Sequence, residues 1–310
     1  MLTQSGYVAN VGLLQAIVEP GTPVYLDVHA HASLWEGAIS AGAVAVRFAH
    51  NDMKALQTAM ERHGPGVVAV DAVYSTNGAL CELAACGQIC RDNDCLLVVD
   101  ESHSLGTHGA HGEGLVAALG LTGQVHFVTA SLAKSYACRA GFIACPRTAK
   151  LFMMMTSRPA ILSSSLMPID VVAIDAVHSL LLQSDDRRER LRRTSRQLRA
   201  ELGARGYPAA NGTEQIIGLE VGDEQAVMAV RDELEAHGVF GSIFCPPATG
   251  ARHCLIRLSV NTALSDAQLE RVVEVFQARK HRLRPERWIG HRRPGAAAGP
   301  RDAVNGNVPS

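Results

Sequence analysis

At 310 residues, 47% hydrophobic and 19% charged, the chain carries enough apolar material for a large core and is expected to divide into two lobes. A net charge of −1 and a pI of about 6.9 leave no electrostatic footprint for nucleic acid or an anionic membrane surface. The opening Met1-Leu-Thr-Gln-Ser-Gly6 has no basic segment followed by an apolar stretch, and no run approaches the roughly 18 apolar residues of a membrane span. Neither targeting nor anchoring is therefore expected, and the protein is read as cytoplasmic.

In chain order, a helix is expected over Val8 to Val18, opened by Ser5-Gly-Tyr7. Short β-rich apolar runs follow at Val24–Val28, Ala43–Phe48, Val67–Val73, Leu96–Val99, His126–Val128 and Phe142–Ala144, alternating with longer helical stretches. One of these, Leu80 to Asp92, follows the turn Ser75-Thr-Asn-Gly78. The alternation predicts an α/β layer with a mostly parallel sheet. A long helix is expected from Pro168 or Ile169 to near Arg205, with an interruption around Ser184 and Asp185. Its Arg-rich stretch, Arg187 to Arg199, alternates with Glu, Leu and Gln at helical spacing and reads as a solvated helix face.

Gly206-Tyr-Pro-Ala-Ala-Asn-Gly212 reads as a turn-rich joint between a large domain (1–206) and a smaller α+β domain (207–283). Strands are expected at Gln215–Val221, Val239–Phe244 and His253–Val260, with a helix at Asp223–His237. Ser265-Asp-Ala-Gln268 has the form of a capping box opening a last helix. From Arg284 onward Pro, Gly, Ala and Arg dominate, and residues 284–310 are expected to be disordered. Eight Cys without a Cys-x-x-Cys pair argue against a zinc ribbon or redox motif and for buried, reduced thiols.

Chemistry concentrates around Asp100 and Lys134. Asp100 ends an apolar run, and the next run delivers Ser131 and Lys134, so both fall on one edge of the sheet. An amine, a carboxylate and nearby hydroxyl donors are what pyridoxal phosphate (PLP) needs for its Schiff base, its ring nitrogen and its phosphate. Two metal readings compete: a His29-x-His31 pair, and His103, His108 and His111 beside Asp100 and Glu101. The first lacks further ligands and the second lies in a glycine-rich loop, so no metal is expected. Arg257 sits in an apolar run, where a guanidinium needs a partner. That partner is either a substrate carboxylate or an internal acid such as Glu220.

The motifs Ser5-Gly-Tyr-Val-Ala-Asn10, His29-Ala-His-Ala-Ser-Leu34, His50-Asn-Asp52, Asp100-Glu-Ser-His103, Thr129-Ala-Ser-Leu-Ala-Lys134, Ser163-Ser-Ser165 and Leu255-Ile-Arg-Leu258 resemble, in this order, those of the α-oxoamine synthases. These are PLP-dependent acyltransferases that condense an amino acid with an acyl-CoA. Asp100-Glu-Ser-His-Ser-Leu-Gly-Thr-His-Gly109 and Phe244-Cys-Pro-Pro-Ala-Thr249 are most similar to the cholera-type α-hydroxyketone autoinducer synthases of quorum sensing. The resemblance implies the fold type I of PLP-dependent transferases, aspartate-aminotransferase-like.

It also implies roles. Lys134 would carry the cofactor and then act as the base at Cα, Asp100 would face the ring nitrogen, and His103, assisted by Ser75, would bond the phenolic oxygen. His31 would stack on the ring. Ser5, Gly6, Tyr7 and Ser131 would hold the phosphate, and Ser164 would reach the phosphate of a neighbouring subunit in a homodimer. Arg257 would clamp the substrate carboxylate, and Arg139 would line a pocket particular to the autoinducer branch. The substrates implied are 2-aminobutyrate or S-adenosylmethionine with a medium-chain acyl-CoA, the product being an α-aminoketone. Alternatives within the resemblance are an 8-amino-7-oxononanoate synthase or a glycine C-acetyltransferase. Family members carry a segment before the phosphate loop that these 310 residues do not include, and an inactive remnant serving only as a binding or dimerising protein is the further alternative.

Overall fold

A computed structural model describes residues 1–210 and 212–291. Its strands are β1 (Leu2–Thr3), β2 (Pro23–Asp27), β3 (Val44–Phe48), β4 (Val67–Asp71), β5 (Leu96–Asp100), β6 (Phe127–Ser131), β7 (Gly141–Ala144), β8 (Ile216–Gly222), β9 (Ser242–Phe244) and β10 (Cys254–Ser259). The helices are α1 (Gly6–Ile17), α2 (Ala32–Ser40), α3 (Met53–His63), α4 (Leu83–Asp92), α5 (Leu115–Ala118), α6 (Arg147–Thr156), α7 (Arg158–Leu162), α8 (Pro168–Leu182), α9 (Asp185–Ala204), α10 (Glu224–Glu235), α11 (Asp266–Ala278) and α12 (Lys280–Leu283).

Seven strands form one sheet in the order β1-β7-β6-β5-β4-β2-β3. Strands β3, β2, β4, β5 and β6 run parallel, and only the edge pairings of β7 with β6 and with β1 are antiparallel. The continuous apolar runs of the sequence are explained by burial on both faces. Val24, Leu26, Val67, Ala69 and Val98 pack with Leu13 and Leu14 of α1 and Leu34 of α2. The alternating residues Tyr25, Val68, Val70, Leu97 and Val99 pack on the opposite side with Leu56 of α3 and with Leu83, Cys86 and Cys90 of α4. Each fully buried Val or Leu here contributes roughly 1.5–3 kcal/mol. This is the α/β layer with a mostly parallel sheet expected from the sequence.

A second, antiparallel sheet has the order β8-β10-β9. Its core joins Leu191, Leu198 and Leu202 of α9 to Ile217, Leu219, Ile256, Val227, Val230 and Phe276. The long helix expected from Pro168 to Arg205 is two helices, divided at Gln183 and Ser184, with Asp185 and Asp186 in the first turn of α9. Ser265 opens α11 with the expected capping box. The Cys residues are all unpaired, and Cys81, Cys86, Cys90, Cys95, Cys138 and Cys254 are buried.

The expected disorder from Arg284 is corrected for its first residues. Pro285–Arg287 and Ile289–His291 form 3-10 turns around Trp288, which is only 4% exposed. The indole packs 5.3 Å from the Tyr207 ring and donates to the Leu283 carbonyl at 2.9 Å. One aromatic side chain holds this stretch against the small core despite its loop-like composition. The remainder of that expectation, residues 292–310, lies outside the described residues.

Candidate active site

Adjacent parallel strands place their C-terminal residues on one edge of the sheet, where α/β folds collect their ligands. Asp27 ends β2, Asp71 ends β4, Asp100 ends β5 and Ser131 ends β6, with Asp71 and Asp100 directly paired across the ladder. Asp100 is 4% exposed. Its Oδ1 accepts from the Ser102 amide at 2.8 Å and its Oδ2 from the Asn10 side chain at 2.6 Å.

Burial, reinforced by the Asp100 charge, holds the Asp71 carboxyl well above the usual carboxylate range, and Asp71 fixes the next motif by accepting from the His31 amide at 2.8 Å. Asp27 goes the other way. Burial works against its charge, but the hydrogen bond and charge of His50, with the amides of Asn51 and His29, bring it below the ordinary value. Neither acid was singled out by sequence reasoning. The signal was there, since three apolar strand runs each end in Asp.

His31 caps α2 through its ring, whose Nδ1 meets the Ser33 amide at 3.2 Å and the Ser33 hydroxyl at 2.7 Å. His103 follows β5 on the glycine-rich loop. Burial, then the charges of Lys134 and Arg257 and the nearby His31, depress it to about 3, so the imidazole is neutral at physiological pH. The charges of Lys134 and Arg257 and the nearby His31 are thus felt at the His103 ring. Lys134 lies exposed on the loop after β6, closed by bonds from Leu132 to Ala140 and from Cys138 to Leu132, both 2.9 Å. Among the described residues nothing engages its amine. Arg139 is exposed on the same loop.

Ser5 is the N-cap of α1, its hydroxyl accepting from the Val8 amide at 3.1 Å. A Cβ on Gly6 would lie 2.6 Å from the Ser131 Cβ, so the amide-rich start of α1 and Ser131 press together only because residue 6 is glycine. This pairing of free helix-start amides with a serine suits a phosphate. Tyr7, 48% exposed, leaves its ring in solvent. Gly141 backs the cradle: a Cβ there would stand 2.1 Å from the Ser5 carbonyl. Gly141→Ala is expected to shift the start of α1 and weaken cofactor binding by about ten- to a hundredfold, an overpacking cost of about 1–3 kcal/mol; fluorescence titration of the variant checks this.

Ser75 enters by its backbone rather than its hydroxyl: its carbonyl accepts from Arg257 Nη1 at 2.6 Å. The Arg257 guanidinium lies 4.8 Å over the Phe244 ring, and its buried Nε has no hydrogen-bond partner. Glu220, the internal acid weighed as its partner, bonds His253 instead. Burial lowers the Arg257 pKa from the ordinary arginine value, and no carboxylate among the described residues offsets it. Ser164 lies exposed between α7 and α8, its carbonyl bonded to the side chain of Gln4, the residue before Ser5.

Apart from His103, the acids and histidines of the 101–114 loop have separate structural work. Glu101 accepts from the amides of Leu115 and Val116 and from Ser104, capping α5. His111 faces Asp185, and His108 bonds Thr107 and Thr213. Among the described residues no three His, Cys, Asp or Glu are grouped as a metal site. Burial, then the Arg192 charge, lowers His108 to about 4. With its folded pKa below its unfolded value near 6.5, it contributes stability above that value which is lost as pH falls toward 4. The stability loss from pH 7 to pH 5, read from urea unfolding, is therefore expected to be about 1–2 kcal/mol smaller in His108→Gln.

The family model for aminotransferase class I and II matches residues 1–276. The CAI-1 autoinducer synthase of Vibrio campbellii is 45% identical over 277 residues, covering 89% of this chain and 70% of that protein. The serine palmitoyltransferase of Caulobacter vibrioides is 31% identical over 282 residues, covering 89% and 69%. Among solved structures, a serine palmitoyltransferase from S. paucimobilis carrying PLP and myriocin superposes with a TM-score of 0.87 at 28% identity, covering 91% of this chain and 72% of that one.

Proposed function

This chain belongs to the aminotransferase class I and II family and is a PLP-dependent enzyme of the α-oxoamine synthase class, and on that premise we propose that it makes an autoinducer precursor. The reaction joins Cα of 2-aminobutyrate or S-adenosylmethionine to the acyl carbon of a medium-chain acyl-CoA. CoA leaves as the thiol and the amino-acid carboxylate as carbon dioxide, giving an α-aminoketone. The carrying observation is the half-buried Arg257 guanidinium, whose buried Nε has no partner, which meets no acid among the described residues and whose charge is felt at His103. The autoinducer branch is favoured over the oxononanoate synthases by identities of 45% against about 30%.

The residues present fit the cofactor: a glycine-tight cradle for a phosphate, a doubly bonded carboxylate, an unengaged amine and a capping histidine with a fixed ring. PLP supplies an aldehyde that takes the substrate amine and a ring that accepts the electron pair left when the Cα proton departs. Asp100 keeps a proton on the ring nitrogen so that the ring can accept those electrons. Lys134, flanked by neutral His103, removes the proton from Cα. His103 would hold the phenolic oxygen and His31 would offer a flat face to the ring, while Ser75, expected to assist His103, has its carbonyl engaged by Arg257. The amides of Ser5, Gly6 and Tyr7 and the Ser131 hydroxyl hold the phosphate. Arg257 clamps the amino-acid carboxylate with its planar fork.

Residues 1–206 form the cofactor domain in this reading and 207–283 the small domain that brings Arg257. Two copies assemble, with Ser164 reaching the partner's phosphate. Supporting this, α8 buries none of its residues and exposes Ile169, Val172 and Leu180, beside exposed Met155 and Leu162, an apolar area of the kind that marks interfaces.

Incubating the loaded protein with competing amino acids and acyl-CoAs of different length, and identifying products by mass, tests the substrate assignment. A preference for glycine or for pimeloyl donors would contradict it. Arg257→Gln is expected to raise KM for the amino acid far more than it lowers kcat, with kcat/KM down about a hundredfold for a charge-assisted bidentate contact; steady-state kinetics separate the two.

A further inference from the structure

We propose that Asn10 is a positioning residue of the reaction, tying the Asp100 carboxylate and the His31 ring into one hydrogen-bonded unit around the cofactor. The inference rests on the PLP reading above and assigns a residue that reading leaves without a role. Asn10 lies on the buried side of α1 at 1% exposure, next to the apolar Ala9, Leu13 and Leu14. A buried amide there is costly unless every polar atom is paired. Each one is. Nδ2 donates to Ser33 Oγ at 2.8 Å and to Asp100 Oδ2 at 2.6 Å, while Oδ1 accepts from the Thr129 hydroxyl at 2.5 Å.

Donor and acceptor roles then propagate. The Asp100 carboxylate only accepts, so the amide nitrogen must face it and the amide oxygen must face Thr129. Ser33, having accepted from Asn10, has its own proton to give to His31 Nδ1. The Ser33 amide points at the same nitrogen. With both donors on Nδ1, the neutral His31 ring carries its proton on Nε2. With the Ser102 amide on Oδ1, both oxygens of Asp100 are engaged from the protein side. Held at both oxygens, the carboxylate is fixed in the orientation in which it would face a ring nitrogen.

The test loads the full chain with PLP labelled with 15N in the ring and reads the pyridine nitrogen by NMR, alongside steady-state kinetics. In the unaltered chain the ring nitrogen should report as protonated. Asn10→Leu, close in shape but without donors, should shift it toward the unprotonated value and lower kcat about ten- to a hundredfold with KM for the amino acid little changed. Thr129→Val, which leaves Asn10 in place but removes the bond orienting it, should move the same signal by a smaller amount and carries the test if Asn10→Leu does not fold. A folded, loaded variant whose ring nitrogen matches the unaltered chain would overturn the proposal while leaving the PLP reading standing. An unaltered chain that takes up no cofactor would overturn both.

Discussion

Lys134→Ala is expected to lower turnover by about a thousandfold or more while leaving the fold intact, since one group supplies both the amine for the cofactor and the base at Cα. The structure separates these effects because Lys134 is exposed and its amine is held by nothing among the described residues. Removing it takes away no packing and no ion pair, so thermal unfolding should move within the small range of surface substitutions. Its charge contributes to the lowered His103 pKa, so that imidazole should become somewhat easier to protonate in the variant. Borohydride reduction followed by peptide mass mapping gives the direct readout: the cofactor should be fixed to the Lys134 peptide in the unaltered chain and to no peptide in the variant.

Asp100→Ala is expected to damage catalysis more than cofactor binding. The phosphate cradle of Ser5, Gly6 and Ser131 is built from α1 and β6 and does not depend on the carboxylate. Affinity should therefore fall about tenfold, as for one lost charged contact, whereas kcat should fall about a hundred- to ten-thousandfold because the ring nitrogen loses the charge that keeps its proton. Removing Asp100 also orphans the Asn10 amide and relieves Asp71 of a like charge. Asp100→Asn keeps the shape, and a matching loss of kcat there would assign the effect to charge rather than to a disturbed core.

Much of this was legible in the chain. Each β-rich run became a strand of the expected sheet, the central ones because residues buried on both faces must be apolar without interruption, as in Val67-Val68-Ala69-Val70. The edge holding Asp100, Ser131 and Lys134 followed from strand order. The interruption near Ser184 was readable from the two Asp that open α9.

Other features needed three dimensions. Asn10 sits in a helix and Asp100 at a strand end far along the chain, and no local pattern announces that they bond. That Glu220 does not pair with Arg257 turned on side-chain direction across β8 and β10, where Glu220 turns to His253. The strand expected over Val239–Phe244 shortened to β9 because Val239 is consumed by the small core, and a Cβ on Gly241 would meet Ile256 at 2.7 Å. Trp288 was hidden among loop-forming neighbours.

The most direct test of the central claim mixes the PLP-loaded chain with 2-aminobutyrate and a medium-chain acyl-CoA, and follows free thiol, carbon dioxide and product mass together. Equal amounts of CoA thiol, carbon dioxide and an aminoketone carrying the acyl chain, all lost in Lys134→Ala, are the predicted result. Conversion of the amino acid to a keto acid without thiol release, or thiol release that survives the loss of Lys134, would contradict it.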